Sequence, residues 1–201
     1  MSAHAGPGRH LLLGLCLGLL LTPGARASEV VRLTGEVAFP TSIRTGDRAL
    51  SLMGAGLLRY ALFIKVYGAG LYAPEGTARG ALLDPEVPKR LELHYLIAVS
   101  RDDIDRAARV HLERQLTPAQ MAAIDDDLER LHRLLADVGP GDRYGLTVEP
   151  PGRLRVDLNG RPLGVVDSPA LASAYMGIWV GDTPIAPQLK RELLGDGEAD
   201  G

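Results

Sequence analysis

The chain has 201 residues, 46% apolar and 23% charged, with a formal charge of −3. That length and balance fit one globular domain and exclude disorder or a coiled coil as readings of the whole chain. A net acidic chain lacks the basic field of a nucleic-acid binder, and one Trp, six Tyr and two Phe are too few for a stacking platform.

Residues 1–27 read as a secretory signal peptide. Arg9 and His10 give a basic start, and residues 11–21 are apolar apart from two glycines. Thr22-Pro23-Gly24 breaks the helix, and Ala25-Arg26-Ala27 has the small-x-small form of a cleavage site. The apolar run falls short of the about 20 residues that a resident membrane helix needs; an uncleaved N-terminal anchor is the alternative. Leu15 precedes Cys16, where a lipoprotein signal needs a small residue. Removing 27 residues that carry Arg9, Arg26 and the only cysteine, but no acid, would leave 174 residues with a charge of −5. The expected mature protein is exported, to a bacterial periplasm on its Arg- and Ala-rich composition, with no disulfide and no stable membrane span. Residues 28–195 read as one domain and 196–201 as a flexible acidic tail.

Residues 29–39 (EVVRLTGEVAF) are β-rich and lead into a loop over 40–47. Residues 48–58 and 60–73 form a long β-prone stretch, in which Gly54, Gly56, Gly68 and Gly70 indicate bulges or close backbone approach. Leu91, Leu93, Tyr95 and Ile97 alternate as a strand. Ser100 opens a helix, and Thr117-Pro118-Ala119-Gln120 opens a second as a capping box. Ile124, Leu128, Leu131, Leu135 and Val138 form its apolar stripe, which Gly139-Pro140 stops. Three short strands follow (RYGLTVE, GRLRVDL, PLGVV), joined by Pro-Gly and by the hairpin dipeptide Asn159-Gly160. Ser168-Pro169 opens a third helix through Ile178, and Pro187 a fourth that ends at Gly195. Strands, helices, strands, helices in that order predict an α+β fold with an antiparallel sheet covered by helices on one face.

If residues 59–67 run as one strand, Arg59, Ala61, Phe63, Lys65 and Tyr67 share a face, and Tyr60, Leu62, Ile64 and Val66 face the core. A guanidinium beside a phenol is a sound receptor for a carboxylate; a solvated sheet face is the plainer reading. Asp125, Glu129 and His132 lie near one side of a helix, but a paired carboxylate metal site needs Glu-x-x-His twice. No metal is expected there. His111 borders the apolar stripe of the first helix, where a half-buried histidine is the plain reading. No nucleophile elbow or complete dinucleotide loop is present, so no cofactor is expected.

The segments GAGLLRYALFIKVYGAGLY (54–72), VPKRLELHYL (87–96), GPGDRY (139–144), LNGRPLG (158–164) and IWVGDTPIAPQLKRELLG (178–195) together resemble the bacterial exported chalcone isomerase-like proteins. The resemblance implies the open-faced β-sandwich of chalcone isomerase, a large antiparallel sheet layered with helices plus a small sheet. In the plant enzymes an early-strand Arg, a Thr, a helical Tyr and Asn, and a late Thr or Ser form the flavonoid site. Arg59 is similar to the first, whereas Tyr67, Ile104, His111 and Ile178 stand near the others. These departures argue against the cyclisation, which needs a polarised carbonyl and a positioned phenolate. Non-catalytic relatives of this fold bind fatty acids through an Arg and a Tyr. The resemblance therefore implies a fatty acid or similar amphipathic carboxylate as partner, with Arg59, Tyr67, Lys65 and His111 as candidate ligand-binding residues. The alternative is an intramolecular lyase acting on a chalcone-like conjugated ketone, with Arg59 as electrophile and His111 as base.

Overall fold

The computed structural model describes residues 29–33, 35, 37–61 and 63–196. The leader read over 1–27, Leu62 and the last five residues of the tail lie outside the described residues. Among the described residues nine strands and four α-helices follow one another in blocks: β1 (Val30–Arg32), β2 (Ala38–Pro40), β3 (Ser42–Thr45), β4 (Arg48–Tyr60), β5 (Ile64–Ala73) and β6 (Lys89–Tyr95) precede the first α-helices. Helices α1 (Arg101–Gln115) and α2 (Pro118–Leu134) come next, then β7 (Arg143–Glu149), β8 (Arg153–Leu158) and β9 (Arg161–Asp167). The chain ends with α3 (Pro169–Val180) and α4 (Pro187–Leu193).

Strands β3 to β9 form one antiparallel sheet in chain order, and β1 pairs with β2 in a second, two-stranded sheet. The sheet is curled, and its main core joins Leu71, Leu91, Leu146 and Val156 to Leu112, Leu128, Leu171 and Met176 of the helices. The expected α+β architecture is present, with the order of blocks that the sequence predicts.

Local chemistry explains why the elements begin where they do. Ser100 accepts the Asp103 N–H, and Ser168 accepts the Leu171 N–H, each satisfying a donor that the first helical turn leaves unpaired. Thr117 and Gln120 form the complete reciprocal capping box. Asn159 at φ 54° and Gly160 at φ 76° make the tight β8–β9 turn that their dipeptide predicts. α2 stops at Leu134, before the Gly-Pro sequence, because Leu135 turns to an extended conformation.

The strand glycines mark close approach on both faces. A Cβ on Gly54 would lie 2.1 Å from the Glu192 carbonyl oxygen, so its absence lets the end of α4 cross β4. A Cβ on Gly70 would lie 2.7 Å from the Phe39 ring, so β2 packs against β5 from the opposite side. There Val37, Phe39, Leu50 and Tyr72 form a small second core.

One predicted strand is not a strand. The stretch from Arg59 to Tyr67 is not one strand: β4 ends at Tyr60, Ala61 and Phe63 are turn residues, and β5 starts at Ile64. Ala61 takes a left-handed φ of 49° to make that turn. Arg59 pairs with Lys65 and Leu58 with Tyr67, with a bulge between the two pairs. The shared face expected for Arg59, Lys65 and Tyr67 therefore does not form. At the other end, Asp196 is held by a two-pronged ion pair with Arg79 at 2.6 Å, so the first tail residue is tied down.

Candidate functional site

Between the sheet and helices α1 and α3 lies a cavity of about 140 Å³. Strands supply Leu58, Val66, Tyr67, Leu93, Tyr95, Tyr144 and Leu146; α1 supplies Ile104, Ala107 and Ala108; α3 supplies Tyr175, Ile178 and Trp179. Alternation places Leu58 and Tyr67, register partners, on the same face of the sheet. In α3, Tyr175 and Trp179 are four residues apart and so share one helix face.

The walls are apolar, with a chain of phenols set into them. Tyr67 and Tyr95 meet edge-on with ring centres 5.4 Å apart, and Tyr95 meets Tyr144 at 6.1 Å. Trp179 Nε1–H donates to the Tyr67 hydroxyl at 3.0 Å, which leaves the Tyr67 proton available to a further acceptor. Tyr144 is fully engaged: its hydroxyl accepts the Ala136 N–H at 2.7 Å and donates to the Ala136 carbonyl at 2.9 Å. The Tyr95 and Tyr175 hydroxyls make no hydrogen bond among the described residues. Burial pushes the Tyr67, Tyr95 and Tyr175 phenols above the ordinary value of 10.0, so they stay protonated donors.

Asp103 is the charged residue of the lining. The Ser100 hydroxyl 2.6 Å away holds its carboxyl below the ordinary carboxylate range, with Arg106 at 2.8 Å adding to the effect. It is ionised, and Arg106 offsets its charge.

The four sequence candidates separate. Tyr67 lines the cavity. Arg59 and Lys65 are exposed at the end of the β4–β5 hairpin and do not border the cavity; the alternation that turns Leu58 inward turns Arg59 away. His111 is half-buried on α1, also outside the lining, with its basicity lowered by burial and then by Arg114. Two positions carried over from the resemblance, Ile104 and Ile178, do line the cavity. Sequence reasoning missed Tyr95, Tyr144, Tyr175 and Trp179 as a group. The signal available was the alternation ending on Tyr95 and the four-residue spacing in the third helix.

The acidic helix face does not converge on a metal. Asp125 pairs with Arg109 at 2.7 Å, and His132 contacts Asp105. Among the described residues no three His, Cys, Asp or Glu side chains group as metal ligands.

An antiparallel meander that closes an apolar, phenol-lined cavity beneath two helices has the architecture of the chalcone isomerase fold. A profile of the chalcone isomerase-like family matches residues 32–195, and the chain belongs to that family. The crystal structure of a fatty-acid binding protein from Arabidopsis thaliana shares the fold, with a TM-score of 0.67 and 18% identity. The match covers 83% of this chain and 96% of that one. Comparison with curated proteins finds no match.

Proposed function

We propose that the chain is an exported, non-catalytic binding protein that takes a fatty acid or similar amphipathic carboxylate in this cavity. The observation that carries the reading is the cavity itself. Apart from Asp103, which Arg106 neutralises, its walls are hydrocarbon and aromatic, and among the described residues no Arg, Lys, His, Ser or Cys lines it. An alkyl chain gains roughly 25 cal/mol for each Å² it removes from water there. Neutral phenol donors, Tyr67 foremost, then receive the polar end without a buried cation. The fatty-acid binding protein that shares the fold supports the same reading. The volume of about 140 Å³ lies below the ~300 Å³ at the small end of ordinary ligand pockets, which favours shorter acyl chains. A conjugated ketone would need an electrophile and a base beside it, and neither Arg59 nor His111 borders the cavity. Export rests on the leader features of residues 1–27.

Protein made with its leader in a bacterial host and recovered from the cell envelope provides the test. Native mass spectrometry is expected to show a chain starting at Ser28 with a carboxylic acid bound. Calorimetry with acids of increasing length is expected to show affinity rising until the cavity is full. Ile104→Trp, which fills the cavity, should abolish binding, and Tyr67→Phe should weaken it by about tenfold through loss of a hydrogen bond to a charged group. A chain that carries no acid and gives no heat with any chain length would overturn the proposal.

A further inference from the structure

The tip of the β4–β5 hairpin carries the three most exposed large apolar side chains described. Phe63 is 87% exposed, Tyr60 70% and Ile64 46%. They sit together, since Tyr60 and Ile64 are register partners and Phe63 lies in the turn between them. Arg59 and Lys65 are paired immediately behind.

Both cations are uncommitted. Among the described residues neither makes an ion pair or a hydrogen bond, whereas Arg79, Arg90, Arg109, Arg143 and Arg153 are all paired with acids. No Asp or Glu occurs in residues 48–74, within a chain whose net charge is −3. The carboxylate that does reach this hairpin, Glu192, is engaged by the Leu57 N–H at 3.1 Å and by Gln188 at 2.9 Å. A protruding cluster of aromatic and aliphatic residues backed by two free cations is matched to one kind of surface. Rings and alkyl groups enter the headgroup boundary, while the cations meet anionic phosphates. An acidic protein with a local basic, apolar tip approaches such a surface in one orientation.

We propose that this hairpin tip docks on anionic lipid bilayers. Leu58, Val66 and Tyr67, the first residues behind the tip, line the cavity, so docking sets that end of the cavity against the membrane. The proposal is independent of what the cavity binds.

The test uses the full mature chain with vesicles of phosphatidylcholine alone or mixed with phosphatidylglycerol, read by co-sedimentation. Binding is expected to the mixed vesicles, to fall with added salt, and to be weak on phosphatidylcholine alone. Arg59→Gln with Lys65→Gln is expected to cost on the order of 20-fold in partition, and Phe63→Ser at least about tenfold. Val110→Ser, which removes an exposed apolar side chain from α1, should leave partition unchanged. The thermal midpoint should be unchanged in the tip variants, because the replaced side chains are solvent-exposed. Three results would overturn the proposal: no binding to either vesicle, equal losses with Val110→Ser and Phe63→Ser, or a concentration-dependent dimer that Phe63→Ser dissolves in the absence of lipid. Failure of acid binding to the cavity leaves each of these readouts intact.

Discussion

At the scale of single residues, burial of a charge-bearing group gives a pH signature. Lys89 is buried at the start of β6, with Nζ donating to the Asp84 and Val87 carbonyls at 2.7 Å each. Burial brings its pKa down from 10.5 to about 8, against an opposing pull from Asp84. The unfolded chain therefore holds more protons than the folded one between those values, so stability rises as pH climbs through about 8 toward 10. The rise should be on the order of 1–2 kcal/mol in urea titrations, and Lys89→Met should remove it. A fall in stability over that range would contradict the assignment. The candidate site shows the same scale from the other side. The sequence singled out Tyr67, which lines the cavity, but it also set Arg59 beside it, and the structure turns Arg59 away. A one-residue change of register sends a side chain to the opposite face, and the bulge beside Leu58 is invisible in composition.

At the scale of elements, stability rests on caps and on glycines that admit a neighbour. Thr117→Ala removes one arm of the α2 capping box and should cost about 1 kcal/mol by chemical denaturation. Gly54→Ala should cost more, about 2 kcal/mol or above, because the new methyl meets the backbone of α4 rather than a movable side chain. Gly80→Ala faces open space and should change stability by no more than about 1 kcal/mol. An equal loss at Gly54 and Gly80 would refute the packing argument. These elements were readable because their signals are local: a hydroxyl before a Pro, an Asn-Gly pair, leucines at helical spacing. The β4–β5 turn was not. The sequence LLRYALFIKVY contains no Gly, Pro, Asn or Asp, and the chain reverses there through an alanine held in the left-handed region.

At the scale of the molecule, the phenol cluster ties stability to alkaline pH. Tyr67, Tyr95, Tyr144 and Tyr175 all have their ionisation raised above 10.0, chiefly by burial. Their contribution is complete below pH 10 and is lost as pH rises beyond it, because only the unfolded chain can form tyrosinate there. With the exposed Tyr60 replaced by Phe, ultraviolet titration should show tyrosinate appearing together with unfolding above pH 10, and not as an independent earlier step. Free ionisation near 10 with the circular dichroism intact would show that the rings are not buried.

The sequence by itself determined the α+β class and the order of strands and helices, since caps, hairpin dipeptides and apolar periodicity act over a few residues, and its longer motifs carried the resemblance to the family. Only the tertiary structure decided what faces the cavity. Residues from four strands and two helices must converge to make it, and a turn without turn residues moves Arg59 and Lys65 from its wall to an exposed tip. Convergence depends on register and on the packing of distant segments, neither of which is encoded within any local stretch of the chain.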